Sequence, residues 1–345
     1  MVPVSIHLRR TDENVDEIEA VASQLGRRVG VSGLLPHLNR QAELAPVPGR
    51  AVEWGWTWQP SDVRNRRWWP HGITTTADAD DPVVTAGRRL VVVSWYAHEV
   101  DGEKHGSRIT VVDLDTLRYR HVLLVEPVVD RRGRARLKPV QVHAGGLVWW
   151  GPYLHVAGTR RGLVSCRLDD LIRVDDLDSA LGYRYVLPVR FAYRAEHDEG
   201  TEEMRYSFCS LDRGADPPEL LAGEYATGDA TRRIAHFPLD PETHLLSTTD
   251  DGRCSALRFH DSGLGHMQGV AVVGGTYYVT SSRGRFRHGT LYVGEPGRFR
   301  GFPGALPIGP EDIAYWPELD LLWSVTEHPG KRYVFAMRRG TVDMG

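Results

Sequence analysis

The sequence predicts an all-β protein, a five-bladed β-propeller preceded by a short, partly helical N-terminal extension. Three observations lead there. One phrase is written twice, as "HAGGLVWWGPYLHVAGTRRG" over 143–162 and "HMQGVAVVGGTYYVTSSRG" over 266–284. Both open on His, reach a Gly three residues on, run through apolar residues, turn, run again and stop at Arg-Gly. Weaker relatives recur over 69–99, 202–228 and 309–330, and each unit is followed by a third alternating run such as "SRITVVDLDTL" or "GTLYVGE". Finally, the runs are short, rich in Val, Tyr, Trp and Thr, and separated by Gly-Gly, Gly-Pro, Asp-Gly and Pro, which is the chemistry of strands joined by hairpins. A three-run phrase repeated in one fixed order fits up-and-down sheets packed radially around a channel better than it fits a sandwich.

Residues 1–65 stand apart. Val15, Ile18, Val21 and Leu25 fall at helical spacing, and the remainder is loop-like and aromatic-rich, so the segment reads as an extension packed on the propeller over 66–345. Blades are expected near 69–128, 141–193, 202–258, 264–302 and 307–340. Segments 119–128 and 183–193 are candidate fourth strands, and "VSIHLRR" (4–10) is the candidate to close the ring. "TADADDP" (76–82) is similar to a calcium loop but lacks its Gly and distal Glu, and reads as the hairpin loop of the first blade.

Aligning the inner strands places Gly72, Gly146, Gly269 and Asp312 in one column. One residue earlier stand His71, Gly145, Gln268 and Glu311; three earlier stand Trp69, His143, His266 and Gly309. Positions two apart on a strand share a face, so both columns should look into the channel where every inner strand begins. The diverged third unit would offer Glu202, Glu203 or Arg205 there. Each second strand returns to the same end, bringing Arg161, Arg283, Glu327, His328 and Glu224 to the rim. His71, His143, His266 and Glu311 are thus the candidate catalytic acid/base set, and the same four could ligate a divalent metal ion, since imidazole and carboxylate suit both tasks. Trp68 and Trp69 would wall the substrate pocket, Gln268, Glu327 and Glu202 would contact substrate, and Arg161 and Arg283 would anchor an anionic group. The run Trp54, Trp56, Trp58, Trp68 and Trp69 either packs an edge strand onto the core or presents an aromatic binding face.

Other chemistry finds no motif. There is no H-E-x-x-H, no G-x-S-x-G elbow, and no P-loop or dinucleotide fingerprint on a strand-to-helix turn. Cys166, Cys209 and Cys254 match no zinc spacing and read as buried thiols. A net charge of −3, with Lys only at 104, 138 and 331, gives no footprint for nucleic acid. No run approaches the roughly 20 apolar residues of a membrane helix, and "MVPVSIHLRRTDENVDEIEA" has no apolar signal core. A cytoplasmic protein with a small-molecule substrate, without nucleic-acid or membrane partners, is expected; oligomeric state stays open.

The phrases "WWPHGITTTADADD", "LVVVSWYAHE", "VHAGGLVWWGPYLHVAGTRRGL", "FCSLDR", "HMQGVAVVGGTYYVTSSRG" and "GPEDIAYWPELDLLWSVTEHPGKRYVFAM" together resemble a group of actinobacterial, often secreted, uncharacterised proteins over roughly residues 65–340. The resemblance implies an actinomycete source and no particular activity. His143 and Glu311 match the group's pattern. The chain departs from it where Pro70-His71-Gly72 replaces Pro-Gln-Gly and where His266 replaces an Asn. Two histidines added to a shared channel imply an enzyme, possessing either no cofactor or a divalent metal ion. The expected reaction is cyclisation, elimination, isomerisation or hydrolysis of a small, largely apolar molecule, in a biosynthetic setting. A metal-dependent lactonase or hydrolase is the nearest variant. A non-catalytic propeller that binds a glycan or protein through its Trp-rich face is the alternative from another class.

Overall fold

The structure is a computed structural model that describes residues 5–79, 87–100, 102 and 105–340. It is all-β, built from antiparallel four-stranded runs. The first run is Trp68–Thr75, Leu90–Ala97, Ser107–Asp113 and Arg118–Val129. The second is Leu147–Trp150, Tyr153–Ala157, Leu163–Arg167 and Tyr185–His197. Their outer strands pair in parallel from Val186↔Leu123 to Pro188↔Val125, merging the two runs into one large sheet. The third run is Phe208–Asp212, Glu219–Gly223, Arg233–Pro238 and Arg258–Asp261; the fourth is Met267–Val273, Thr276–Ser281, His288–Gly294 and Arg300–Ile308. The fifth joins Pro310–Trp316, Leu321–Thr326 and Tyr333–Arg338 to Trp54–Thr57.

The innermost strands pack on one another in a closed ring: Trp68–Thr75 on Leu147–Trp150, then Phe208–Asp212, Met267–Val273, Pro310–Trp316 and back. The glycine column makes this close approach possible. A Cβ on Gly146 would lie 2.2 Å from Cys209 N, and one on Gly269 would lie 2.6 Å from Asp312 Cα. Asp312 ties the ring by another means. Its fully buried carboxylate accepts hydrogen bonds from the backbone N–H of Ile73 (3.0 Å) and Leu147 (3.2 Å).

Strand alternation fills the wedges between neighbouring runs. Val91, Val93 and Trp95 face the fifth run, where they meet Trp56, Trp323 and Val325; Leu90 and Val92 face the second, where they meet Trp149, Leu154 and Val156. Three further apolar clusters fill the second–third, third–fourth and fourth–fifth wedges.

The N-terminal segment is woven into the sheets rather than laid over them. The strand completing the fifth run is Trp54–Thr57, not 4–10 as expected. Ile6–Arg10 instead pairs with the far end of Tyr185–His197 and with Arg253–Ser255. Both segments alternate apolar residues, and both bury them: Ile6 and Leu8 in one wedge, Trp56 in another. Trp56 brings the larger apolar surface, and it packs against Trp323 at 5.4 Å. The helix Val15–Leu25 buries Ile18 and Val21, while Val15, expected on the same face, is exposed in its first turn. After Trp68–Thr75 the chain makes a short helical turn, Thr76–Ala79; the rest of the calcium-loop-like segment, 80–82, lies outside the described residues. Among the described residues no helix is long and apolar enough to cross a membrane.

Candidate active site

A cavity of about 1080 Å³ opens where the inner strands begin. At its head, His71 and Glu311 project from adjacent inner strands, each one residue before the close-approach column. His71 Nδ1 lies 2.7 Å from Glu311 Oε2, and both residues are buried. Gln268, from the next inner strand, donates through Nε2 to Glu311 Oε1 at 3.1 Å. These contacts occupy one face of His71. On the other, Nε2 is buried, has no hydrogen-bond partner, and lies 3.8 Å from Glu327 Oε2.

Burial sets the electrostatics. It pushes His71 down to about 4 and Glu311 well above the usual carboxylate range, because each charged form has lost its water. The pair therefore favours its neutral state, with the carboxylic proton between Glu311 and Nδ1. Glu327 is raised to about 7, chiefly by burial. One group is thus poised near neutrality beside a hydrogen-bonded pair able to pass a proton across 2.7 Å.

Aromatic rings wall this corner. Tyr96 lies 4.2 Å from His143 and 4.7 Å from His71 between centroids, and His71 lies 4.6 Å from His143. The Tyr96 hydroxyl meets His98 Nε2 at 2.6 Å. Desolvation, followed by the nearby His71 and His98, holds His143 below its ordinary range although the residue keeps an exposed surface in the cavity.

His71, His143, His266, Gln268, Arg283, Glu311 and Glu327 all line this one cavity. They do not form one cluster. His71, Glu311 and Glu327 present ligand atoms within 4.8 Å of one another. Of the expected metal set, His143 and His266 stand outside this group, and Glu327, expected as a substrate contact, takes a place in it. His266 is exposed, has a left-handed backbone (φ 57°), and meets the Tyr225 hydroxyl through Nδ1 at 3.1 Å.

Four expected contacts lie elsewhere. Trp68 points into the wedge between the first and fifth runs, with the Arg108 guanidinium 4.5 Å from its ring. Trp69 lines a neighbouring pocket, as does Arg161. Glu202 is absent from the lining and pairs at 3.6 Å with Arg205, which does reach the cavity. Glu224, expected at the rim, is fully buried and locked to Arg233 at 2.9 Å. The aromatic binding face is also gone: Trp56 and Trp58 are buried in the first–fifth wedge.

Tyr96, Tyr225 and Arg287 are cavity residues that the sequence reading missed. Tyr96 is the penultimate residue of the second strand of the first run, at the end where Thr326 and Glu327 stand in the fifth and Ser281–Arg283 in the fourth. Extending that alignment to "VSWYAHE" would have found it.

No family model matches the chain, and no curated protein matches it. Among solved structures it is similar to a GH43_1 enzyme from Xanthomonas citri complexed with xylotriose (12% identity, TM-score 0.39, covering 93% of this chain and 92% of that one). It is similar to XC5397 from Xanthomonas campestris, described as a gluconolactonase (12%, 0.38, 87% and 90%). The Cps50 (Swd1) β-propeller domain from Myceliophteria thermophila gives 11%, 0.38, 87% and 99%.

Proposed function

We propose that the chain is a five-bladed β-propeller enzyme that catalyses proton-transfer chemistry on a small, polar, anionic molecule held at the channel mouth. The closed ring of five inner strands and the five apolar wedges between consecutive runs support the blade count. The observation that carries the catalytic reading is the buried, unpartnered His71 Nε2 facing Glu327 across 3.8 Å. A buried polar atom without a partner is unfavourable, and here a substrate oxygen would satisfy it.

A substrate leaving oxygen about 2.8 Å from His71 Nε2 would place the proton of an adjacent atom within reach of Glu327 Oε2, 3.8 Å from that nitrogen. Glu327, ionising near neutrality, serves as the general base. His71 serves as the general acid: Nε2 releases its proton as Nδ1 accepts one from Glu311, and Gln268 holds the far oxygen of that carboxyl. Elimination, isomerisation, cyclisation and hydrolysis all need this pairing of a base and an acid. The polar lining favours a substrate more polar than the largely apolar one expected. Arg205, Arg283, Arg287, Tyr225, Ser207 and Ser282 line the cavity, and Arg283 and Arg287 have no ion-pair partner among the described residues.

The second reading, a divalent-metal-dependent hydrolase, is favoured by the three ligand atoms of His71, Glu311 and Glu327. A bound ion would polarise a carbonyl or lower the pKa of water there.

The test is proton NMR in D₂O with a panel of sugar acids, hydroxy acids and their lactones. Wild type should exchange a carbon-bound proton or form product. Glu327→Gln and His71→Asn should each lose at least about 100-fold while keeping the wild-type circular dichroism and a cooperative unfolding transition. Turnover that survives both substitutions sinks the reading. Sensitivity to EDTA with recovery on Mn²⁺ or Zn²⁺ selects the metal variant.

A further inference from the structure

Beside the main cavity is a second pocket of about 410 Å³, lined by Arg66, Trp69, Arg285, His328, Pro329 and Lys331. Arg66, Arg285 and Lys331 are exposed, and none has an ion-pair partner among the described residues. The chain carries net charge −3, so three cations without an ion-pair partner on one pocket are not the overflow of a basic surface. Like charges so close repel one another unless an anion lies between them.

The floor supplies a second, independent observation. His328 is 9% exposed, and neither ring nitrogen has a hydrogen-bond partner. Its closest charged neighbour is Glu327, with Oε1 3.3 Å from Nδ1. The ring is held in place by the chain: a Cβ on Gly309 would lie 2.8 Å from His328 Cδ2, so only glycine allows that seat. The edge-on contact with Trp69, at 5.8 Å, fixes the other side. Trp69 Nε1 donates to the Arg66 carbonyl at 2.9 Å, and the Arg285 guanidinium sits 5.7 Å from the Trp69 ring. Trp69 and Pro329 give an apolar wall, and the cations and His328 give an anion-binding edge.

We propose that this pocket binds an oxyanion carried on a flat apolar body, the chemistry of an aryl carboxylate, independently of the reaction at His71. The carboxylate pairs with Arg285 and Lys331 and accepts from His328, while the ring lies along Trp69. Its volume is ample for one such ligand.

The probe is benzoate titrated into ¹⁵N-labelled protein, followed at the Trp69 indole N–H, which Trp69→Phe identifies. Benzoate should shift that signal saturably, and benzamide, the same shape without charge, should bind at least tenfold more weakly. The double variant Arg285→Ala/Lys331→Ala, changed only at exposed positions, should melt like wild type and lose at least tenfold in affinity. His71→Asn should bind benzoate as wild type does, which separates this pocket from the main cavity. The proposal is overturned by no saturable shift, by equal affinity for benzamide, or by undiminished binding in the double variant.

Discussion

Glu327 shows most directly how burial becomes chemistry. Its pKa in the folded protein, about 7, lies above the usual carboxylate value, so the folded state binds the proton more tightly than the unfolded chain. The stability it contributes is fully present below the unfolded pKa, near 4.5, and is lost as pH rises through about 7. Wild type should therefore lose stability relative to Glu327→Gln across that window, by on the order of 3 kcal/mol; denaturant melts at pH 4.5 and 8 check it. Activity should move the other way, because the proposed base, Glu327, must be ionised: kcat/KM should rise through pH of about 7. A profile flat between pH 6 and 8 would remove Glu327 from that role. At this scale the sequence was partly legible. His71, Gln268 and Glu311 come from one column on strands of one register, so their meeting followed from alternation. The same rule separates Trp68 from Trp69, since adjacent residues on a strand face opposite sides; only one of them could have reached the mouth.

Among the elements, Trp54–Thr57 has the most to hold. It covers the outer edge of the fifth run, and Trp56 fills the wedge against Trp323. Trp56→Ala should lower stability by about 3–5 kcal/mol, the usual range for emptying a large buried aromatic site, as read from chemical denaturation. The inner strands have a different sensitivity. Gly146→Ala would drive a methyl into the backbone of Cys209, where neither partner is a flexible side chain; the variant should lose soluble expression, whereas Gly340→Ala, with nothing within 4 Å of the added carbon and no left-handed backbone to strain, should express. The inner three strands of each run were readable because hairpin turns keep partners adjacent in sequence. The closing strand was not, because two N-terminal segments carry the same alternation and only the vacant edges of the folded sheets distinguish them.

Across the whole molecule, charge is unevenly spread. The net charge is −3, yet Arg66, Arg161, Arg283, Arg285, Arg287 and Lys331 all lie in or beside the pockets of one end. Such a rim draws anions inward and is screened by salt, so kcat/KM for an anionic substrate should fall several-fold between 50 and 500 mM NaCl, while a neutral analogue's should not. The sequence by itself determined the all-β class, the repeated strand phrase and the end of the strands where titratable residues gather, because hydrophobic period and turn chemistry are local. It could not determine that Glu327 rather than His143 or His266 completes the group at His71, that Arg161 opens onto another pocket, or that Ile6–Arg10 and Trp54–Thr57 complete edges of different sheets. Those outcomes depend on ångström-scale distances between strands far apart in the chain, and only closing the ring sets them.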